Sequence, residues 1–206
     1  MNLIRYLTES RKGHISKRNF KPESKLHYLS YIPLDVNTIL DVGCGYGELL
    51  FLLKQKGYKV SGCDIYDELI KKAKQISEDV ILADAEQLTN FYPFNNFDLV
   101  SLIHVLEHLP NPLKALLEAK AVSKKYVLLA VPNARYVLHD ERETHLYSWN
   151  SVTLTNLIKK AGLTILTLSE NPVNLFPNII RVSPIISRIL IKFLWEPMEI
   201  ICLTGK

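Results

Sequence analysis

Three alternating glycines between an apolar strand and an amphipathic helix constrain this chain more than any other feature. Residues 39–50 read Ile-Leu-Asp-Val-Gly-Cys-Gly-Tyr-Gly-Glu-Leu-Leu. Gly43, Gly45 and Gly47 can take backbone angles closed to other residues, and without side chains they let a ligand lie on the main chain at a helix N-terminus. A dinucleotide fingerprint needs Gly-x-Gly-x-x-Gly, and Glu48 stands where its third glycine would be. Pyrophosphate is therefore a poor guest. Asp41, at the strand end before the turn, suits a ligand carrying an ammonium and a sulfonium better than one carrying phosphates.

An open α/β sheet places a ribose-binding carboxylate at the end of the next strand, and Lys59-Val-Ser-Gly-Cys-Asp64 supplies one. The interval from Asp41 holds one helix, a Gly57 stop and one strand. Two carboxylate oxygens can accept from both ribose hydroxyls. A third strand, Asp79-Val-Ile-Leu-Ala83, ends in Asp84-Ala85, and Phe97-Asp-Leu-Val-Ser-Leu-Ile-His-Val-Leu-Glu-His-Leu109 is a buried-strand run leading into a short helical turn. Taken singly, the glycines read as a tight turn and the aspartates as helix caps or solvated strand ends. Together, three successive strands present a carboxylate at the edge where ligands bind in parallel sheets.

The pattern Asp-x-Gly-x-Gly-x-Gly resembles motif I of the class I S-adenosylmethionine (SAM) dependent methyltransferases. Residues 97–109 look like motif IV of the small-molecule branch of the ubiquinone-biosynthesis type, which often reads Val-Leu-Glu-His-Val/Leu. The resemblance covers about Leu34 to Gly162 well and the last strand loosely. It implies a Rossmann-like, doubly wound sheet of seven strands in the order 3-2-1-4-5-7-6, with the last strand antiparallel beside the fifth. It also implies SAM as cofactor and S-adenosyl-L-homocysteine as product. Asp41, Gly43, Cys44 and Gly45 would form the turn under SAM, Asp64 and Ile65 would meet the ribose, Asp84 and Ala85 the adenine, and the Ile103-His104 backbone would complete the site.

Periodicity predicts strands near 37–42, 58–63, 79–83, 97–103, 125–131, 163–169 and 198–204, with helices near 46–56, 66–77, 112–122 and 150–161. A helical stretch at Ser24 to Tyr31 precedes them. A chain of 206 residues can bury roughly seventy per cent of its unfolded surface around one core. We read one domain: a basic N-terminal cap or lid over 1–33, a SAM-binding core over 34–170, an apolar helical insertion over 171–197 and the last strand over 198–206. Cys44, Cys63 and Cys202 are scattered, odd in number and never in a Cys-x-x-Cys pair. They read as reduced thiols, and with no apolar run at the N-terminus the expected location is cytoplasmic.

Charge is unevenly placed. Residues 1–25 carry seven basic side chains against Glu9 and Glu23, a local +5, whereas the whole chain is only +4. This arm could pair with phosphates or an anionic small molecule, form a solvated terminal helix, or fold as a lid, and it contains no RNA-binding motif. From Ser183-Pro184 onward a helix would line up Arg188 and Lys192 on a narrow face among apolar residues. It is too short and charged to span a bilayer. A core helix is one reading of residues 184–195; a peripheral membrane contact, a dimer contact or an acceptor-pocket wall are the others.

The acceptor should lie where the chain crosses the carboxyl ends of the fourth and fifth strands. His104 to His108 qualifies, as does the long loop 132–149, whose length is itself a functional signal. Methyl transfer is an in-line displacement at a sulfonium-bound carbon, so positioning supplies much of the catalysis. A hydroxyl acceptor would use a base, and His145 is the first candidate, then His108 and His104, then His139. For each, a structural hydrogen bond is the alternative. Glu107 and His108 are adjacent, which does not make a metal site, and no metal is expected. The fourth strand is not followed by the Asn/Asp-Pro-Pro-Tyr/Phe of base and amide methylation, nor by a cysteine for attack on a pyrimidine. This favours O- or N-methylation of a small molecule. A non-catalytic SAM-binding partner or sensor and a protein or RNA methyltransferase remain as alternatives, and a nicotinamide oxidoreductase is disfavoured by Glu48.

Overall fold

The computed structural model describes residues 20–134, 145–170 and 199–206. Seven strands form one sheet: β1 (Thr38–Val42), β2 (Lys59–Asp64), β3 (Val80–Leu82), β4 (Phe97–Ile103), β5 (Ser123–Pro132), β6 (Thr164–Ser169) and β7 (Glu199–Gly205). Their order is β3-β2-β1-β4-β5-β7-β6, as the family resemblance implies. Strands β1 to β5 pair in parallel, and β7 runs antiparallel between β5 and β6. The chain leaves β1 toward β2 on one side and returns to β4 on the other. That reversal opens a crevice at the carboxyl ends of β1 and β4.

Alternation of side chains divides the core into two layers. Val100 and Leu102 of β4 join Val127, Leu129 and Val131 of β5 on one face, beneath Ala115, Leu116 and Ala119. Leu99 and Ile103, with Leu128 and Ala130, face the other way toward Leu49, Leu53 and Tyr28. Side chains that alternate along a strand point to opposite faces, so each strand serves both layers. Each large aliphatic fully removed from water contributes about 1.5 to 3 kcal/mol.

Among the described residues four α-helices cover the faces: α1 (Glu48–Gln55), α2 (Asp67–Ala73), α3 (Pro112–Val122) and α4 (Ser151–Lys160). The Asn111 side chain accepts from the Lys114 N–H at the start of α3, and Asn150 with Thr153 forms a capping box on α4. Helix α2 is shorter than the 66–77 periodicity predicts, and its N-cap residue, Tyr66, makes no side-chain cap. The stretch predicted at 24–31 is a 3-10 helix over Pro22–Tyr31. A second 3-10 helix, Ala85–Asn90, follows β3 with Asp84 as its cap. Strand β5 begins at Ser123, directly after α3 and two residues before the predicted start. The expected helix over 184–195 lies outside the described residues. Among the described residues no helix is long and apolar enough to cross a membrane.

Candidate active site

The glycine turn is built by two different constraints. A Cβ on Gly43, at φ +72°, would stand 2.5 Å from Val105 Cγ2, so this glycine lets the end of β4 press against the turn. A Cβ on Gly45, at φ +58°, would meet nothing within 4 Å. Gly45 therefore presents bare main chain to open space, the surface a ligand can approach. Helix α1 starts immediately beyond, with Glu48 buried in its first turn and accepting the Lys21 N–H at 2.8 Å.

The carboxylates occupy the carboxyl edge as expected and are held in three different ways. Asp41 is buried, and the Ser101 hydroxyl donates to it at 2.8 Å. Burial pushes its carboxyl up to about 7, opposed by the Ser101 bond. Asp64 receives the Gly45 N–H on one oxygen at 2.9 Å and the Tyr66 N–H on the other at 3.0 Å. Both bonds tie the carboxylate to main-chain amides and fix its orientation at the sheet edge. Ile65, next in the chain, is exposed. Asp84 accepts the Glu86 N–H at 2.8 Å, so it does serve as a cap, while Ala85 opens a helix whose first amides have no intrahelical partner. Cys44 lies buried in the turn, and burial pushes its thiol up, with Asp41 and Asp64 adding to the effect. All three cysteines are free and buried.

At the end of β4 the backbone turns sharply. His104 has φ +56°, a left-handed conformation uncommon for a residue with a side chain. Its Nε2 lies 2.8 Å from Glu199 Oε2, and its Nδ1 lies 3.4 Å from Glu107 Oε1, an ion-pair distance longer than a normal hydrogen bond. Burial alone would lower its pKa, and the two carboxylates outweigh that and raise it. A carboxylate thus stands at each ring nitrogen of His104 and fixes the orientation of the ring.

Two of the remaining candidate histidines come together. His108 and His145 stack edge to face with ring centroids 4.6 Å apart. The segment entering α4 is pinned over the turn: Leu146 N–H donates to the Glu107 carbonyl at 2.7 Å, and Ala134 N–H to the Trp149 carbonyl at 2.7 Å. This docking delivers His145 onto His108 from 37 residues away in sequence, between Leu106–His108 and the start of α4. Glu107 is 1% exposed, and neither carboxylate oxygen makes a hydrogen bond. Burial would raise its pKa, but His104 and His108 hold it below the ordinary glutamate value. One donor atom each from Glu107, His108 and His145 lies within 4.8 Å of the others. Two nitrogens and a carboxylate oxygen at that spacing fit a divalent ion, so the pair seen in sequence gains a third member in space. His139 lies outside the described residues.

Sequence reasoning missed four residues of this edge: His27, Tyr28, Ser101 and Glu199. Two had a signal. Ser101 and Glu199 interrupt apolar strand runs, and a polar group in such a run must find a partner when buried. His27 and Tyr28 carried none, since their role depends on a helix that crosses from outside the sheet.

A family model described as a methyltransferase domain matches residues 14–168. A ubiquinone biosynthesis O-methyltransferase from Thiobacillus denitrificans is 31% identical over 154 residues, covering 64% of this chain; the chain spans 66% of that relative's length. A SAM-dependent methyltransferase from Archaeoglobus fulgidus superposes with a TM-score of 0.67 at 22% identity, covering 90% of this chain and 92% of that one. The cyclase SpnF superposes with a TM-score of 0.68 at 20% identity over 90% of this chain and 81% of its own, so the fold by itself does not name a reaction. The family match over most of the chain, the glycine turn and the strand order agree: the chain belongs to the class I SAM-dependent methyltransferases, whose cofactor is S-adenosylmethionine.

Proposed function

We propose that this protein transfers the methyl group of SAM to an oxygen or nitrogen of a small-molecule acceptor seated against Glu107, His108 and His145. One observation carries the reading. Val105, packed on the Gly43 turn, is two residues from Glu107, so the cofactor turn and the paired histidines share one end of β4. The acceptor atom attacks the sulfonium-bound methyl carbon in line with the departing thioether, leaving S-adenosyl-L-homocysteine. Holding the two reactants in near-attack geometry supplies most of the acceleration. A hydroxyl acceptor gives its proton to His145 or His108 as the new bond forms, with Glu107 steadying the resulting imidazolium. Should a divalent ion occupy this cluster, Glu107, His108 and His145 would hold it, and it would supply Lewis acidity to the acceptor oxygen.

The name of the Thiobacillus relative supports an O-methyl product from a small metabolite, and the three buried free thiols support a reducing compartment such as the cytoplasm. The test is transfer of labelled methyl from SAM into the small-molecule, lipid, protein and RNA fractions of a source-cell extract. Label in the small-molecule or lipid fraction supports the proposal. Label confined to protein or RNA would sink the acceptor class. SAM binding without any label would favour a non-catalytic binding role.

A further inference from the structure

Glu199 is the first residue of the last strand, far from every motif in sequence, and is 2% exposed. It stands opposite Pro132 in the β5–β7 ladder, which puts its carboxylate at the carboxyl edge of the sheet. Three side chains converge on it. His27 Nε2 lies 2.7 Å from one oxygen; the Tyr28 hydroxyl donates to the other at 2.5 Å, and His104 Nε2 approaches that same oxygen at 2.8 Å. Burial would raise its pKa, and the bonds from His104, His27 and Tyr28 outweigh this, holding it down to about 2. Glu199 is therefore an anion held by three side chains.

Its most consequential partner is His104. A residue with a Cβ in the left-handed region carries a cost that glycine does not, so a left-handed histidine persists only where its surroundings hold it. The main chain supplies one restraint, His104 N–H to the Ala130 carbonyl at 2.8 Å. The ring supplies the rest through Glu199, Glu107 and the Tyr28 hydroxyl, which lies 3.2 Å from its Nε2. We propose that Glu199 is a positioning residue for the cofactor: by gripping the His104 ring it keeps the backbone at the end of β4 in the left-handed turn against which SAM rests. This rests on the reading that the Ile103-His104 main chain meets SAM.

The left-handed preference allows a test by glycine rescue, with SAM affinity read by titration calorimetry and folding by Tm. His104→Ala keeps the Cβ and loses the grip, whereas His104→Gly loses the grip but needs none. His104→Gly should bind SAM about tenfold tighter than His104→Ala. Glu199→Gln should bind about tenfold more weakly than the native chain, and His104→Gly/Glu199→Gln should bind as His104→Gly does. Equal affinity of the alanine and glycine variants overturns the proposal, and this comparison leaves Glu199 in place should its substitution unfold the chain. Native affinity in Glu199→Gln, or a further tenfold loss in the double variant, also overturns it. Asp64→Ala separates the two levels of argument: if it leaves affinity unchanged, the cofactor placement itself fails and takes the proposal with it.

Discussion

The Gly45 main-chain N–H donates to the Asp64 carboxylate at 2.9 Å, which ties the turn after β1 to the end of β2. The carboxylate at the end of β2 and the bare main chain of the glycine turn are thus parts of one hydrogen-bonded unit. Asp64→Ala removes two charge-assisted bonds to backbone, together with the carboxylate expected to meet the ribose. Bonds of that kind are worth about 1.5 to 3 kcal/mol each. SAM affinity should fall at least about tenfold, with a lowered Tm, by calorimetric titration and thermal melting. Unchanged affinity would remove Asp64 from the cofactor site.

The glycines of the turn should separate stability from binding. Gly43→Ala adds a Cβ 2.5 Å from Val105 Cγ2, so the chain bears both overpacking and a disfavoured φ. A loss of about 2 to 4 kcal/mol in denaturant unfolding is expected. Gly45→Ala meets nothing within 4 Å and bears only the φ cost of about 1 kcal/mol. Its methyl instead projects into the open space beside the turn, so SAM affinity should drop while the unfolding midpoint falls clearly less than in Gly43→Ala. A Gly45→Ala protein that binds SAM normally would show that the ligand lies elsewhere.

Much of this site was legible from residue types at strand ends, because backbone hydrogen bonding and burial act over short sequence distances. Asp41, Asp64 and Asp84 each fall at the predicted edge, since a parallel sheet with short crossovers leaves them no other place. What could not be read was contact between distant segments. His145 reaches His108 because the Glu107 carbonyl accepts two amides from residues 146 and 147, and no local pattern encodes that docking. The grip on His104 from Glu199 is of the same kind. Strand β5 starts two residues before the predicted 125 because Ser123 pairs with Phe97 of β4 directly at the helix end, its hydroxyl donating to the Tyr126 carbonyl.

Asp41 predicts a pH dependence. Burial puts its folded-state carboxyl at about 7, above the unfolded value of about 3.9. The folded protein without ligand therefore holds this proton more tightly than the unfolded chain, and its contribution to stability is present below about pH 4 and lost as pH rises through about 7. A cationic ligand reverses the preference, because it binds the carboxylate form. SAM affinity should fall by up to about tenfold per unit as pH drops below 7. Asp41→Asn should bind more weakly at pH 8 and show a flattened profile between pH 6 and 8. An unaltered slope would assign the titration to another group.

The paired histidines decide between proton transfer and metal chemistry. On the proposed acceptor seat, His145→Ala and His108→Ala should each lower kcat about a hundredfold or more while leaving SAM affinity near native. A loss of SAM affinity in both would instead place them in the cofactor site. Chelation supplies the second arm. If the histidines act on the proton directly, labelled-methyl transfer survives exhaustive dialysis against a chelator. If transfer is lost and then restored by zinc or magnesium, Glu107, His108 and His145 are ligands, since their donor atoms lie within 4.8 Å of one another. Glu107→Gln sharpens the distinction: it should slow proton transfer modestly by unpairing the imidazolium, but abolish metal-restored activity, because a carboxamide is a far weaker ligand for a divalent ion than a carboxylate.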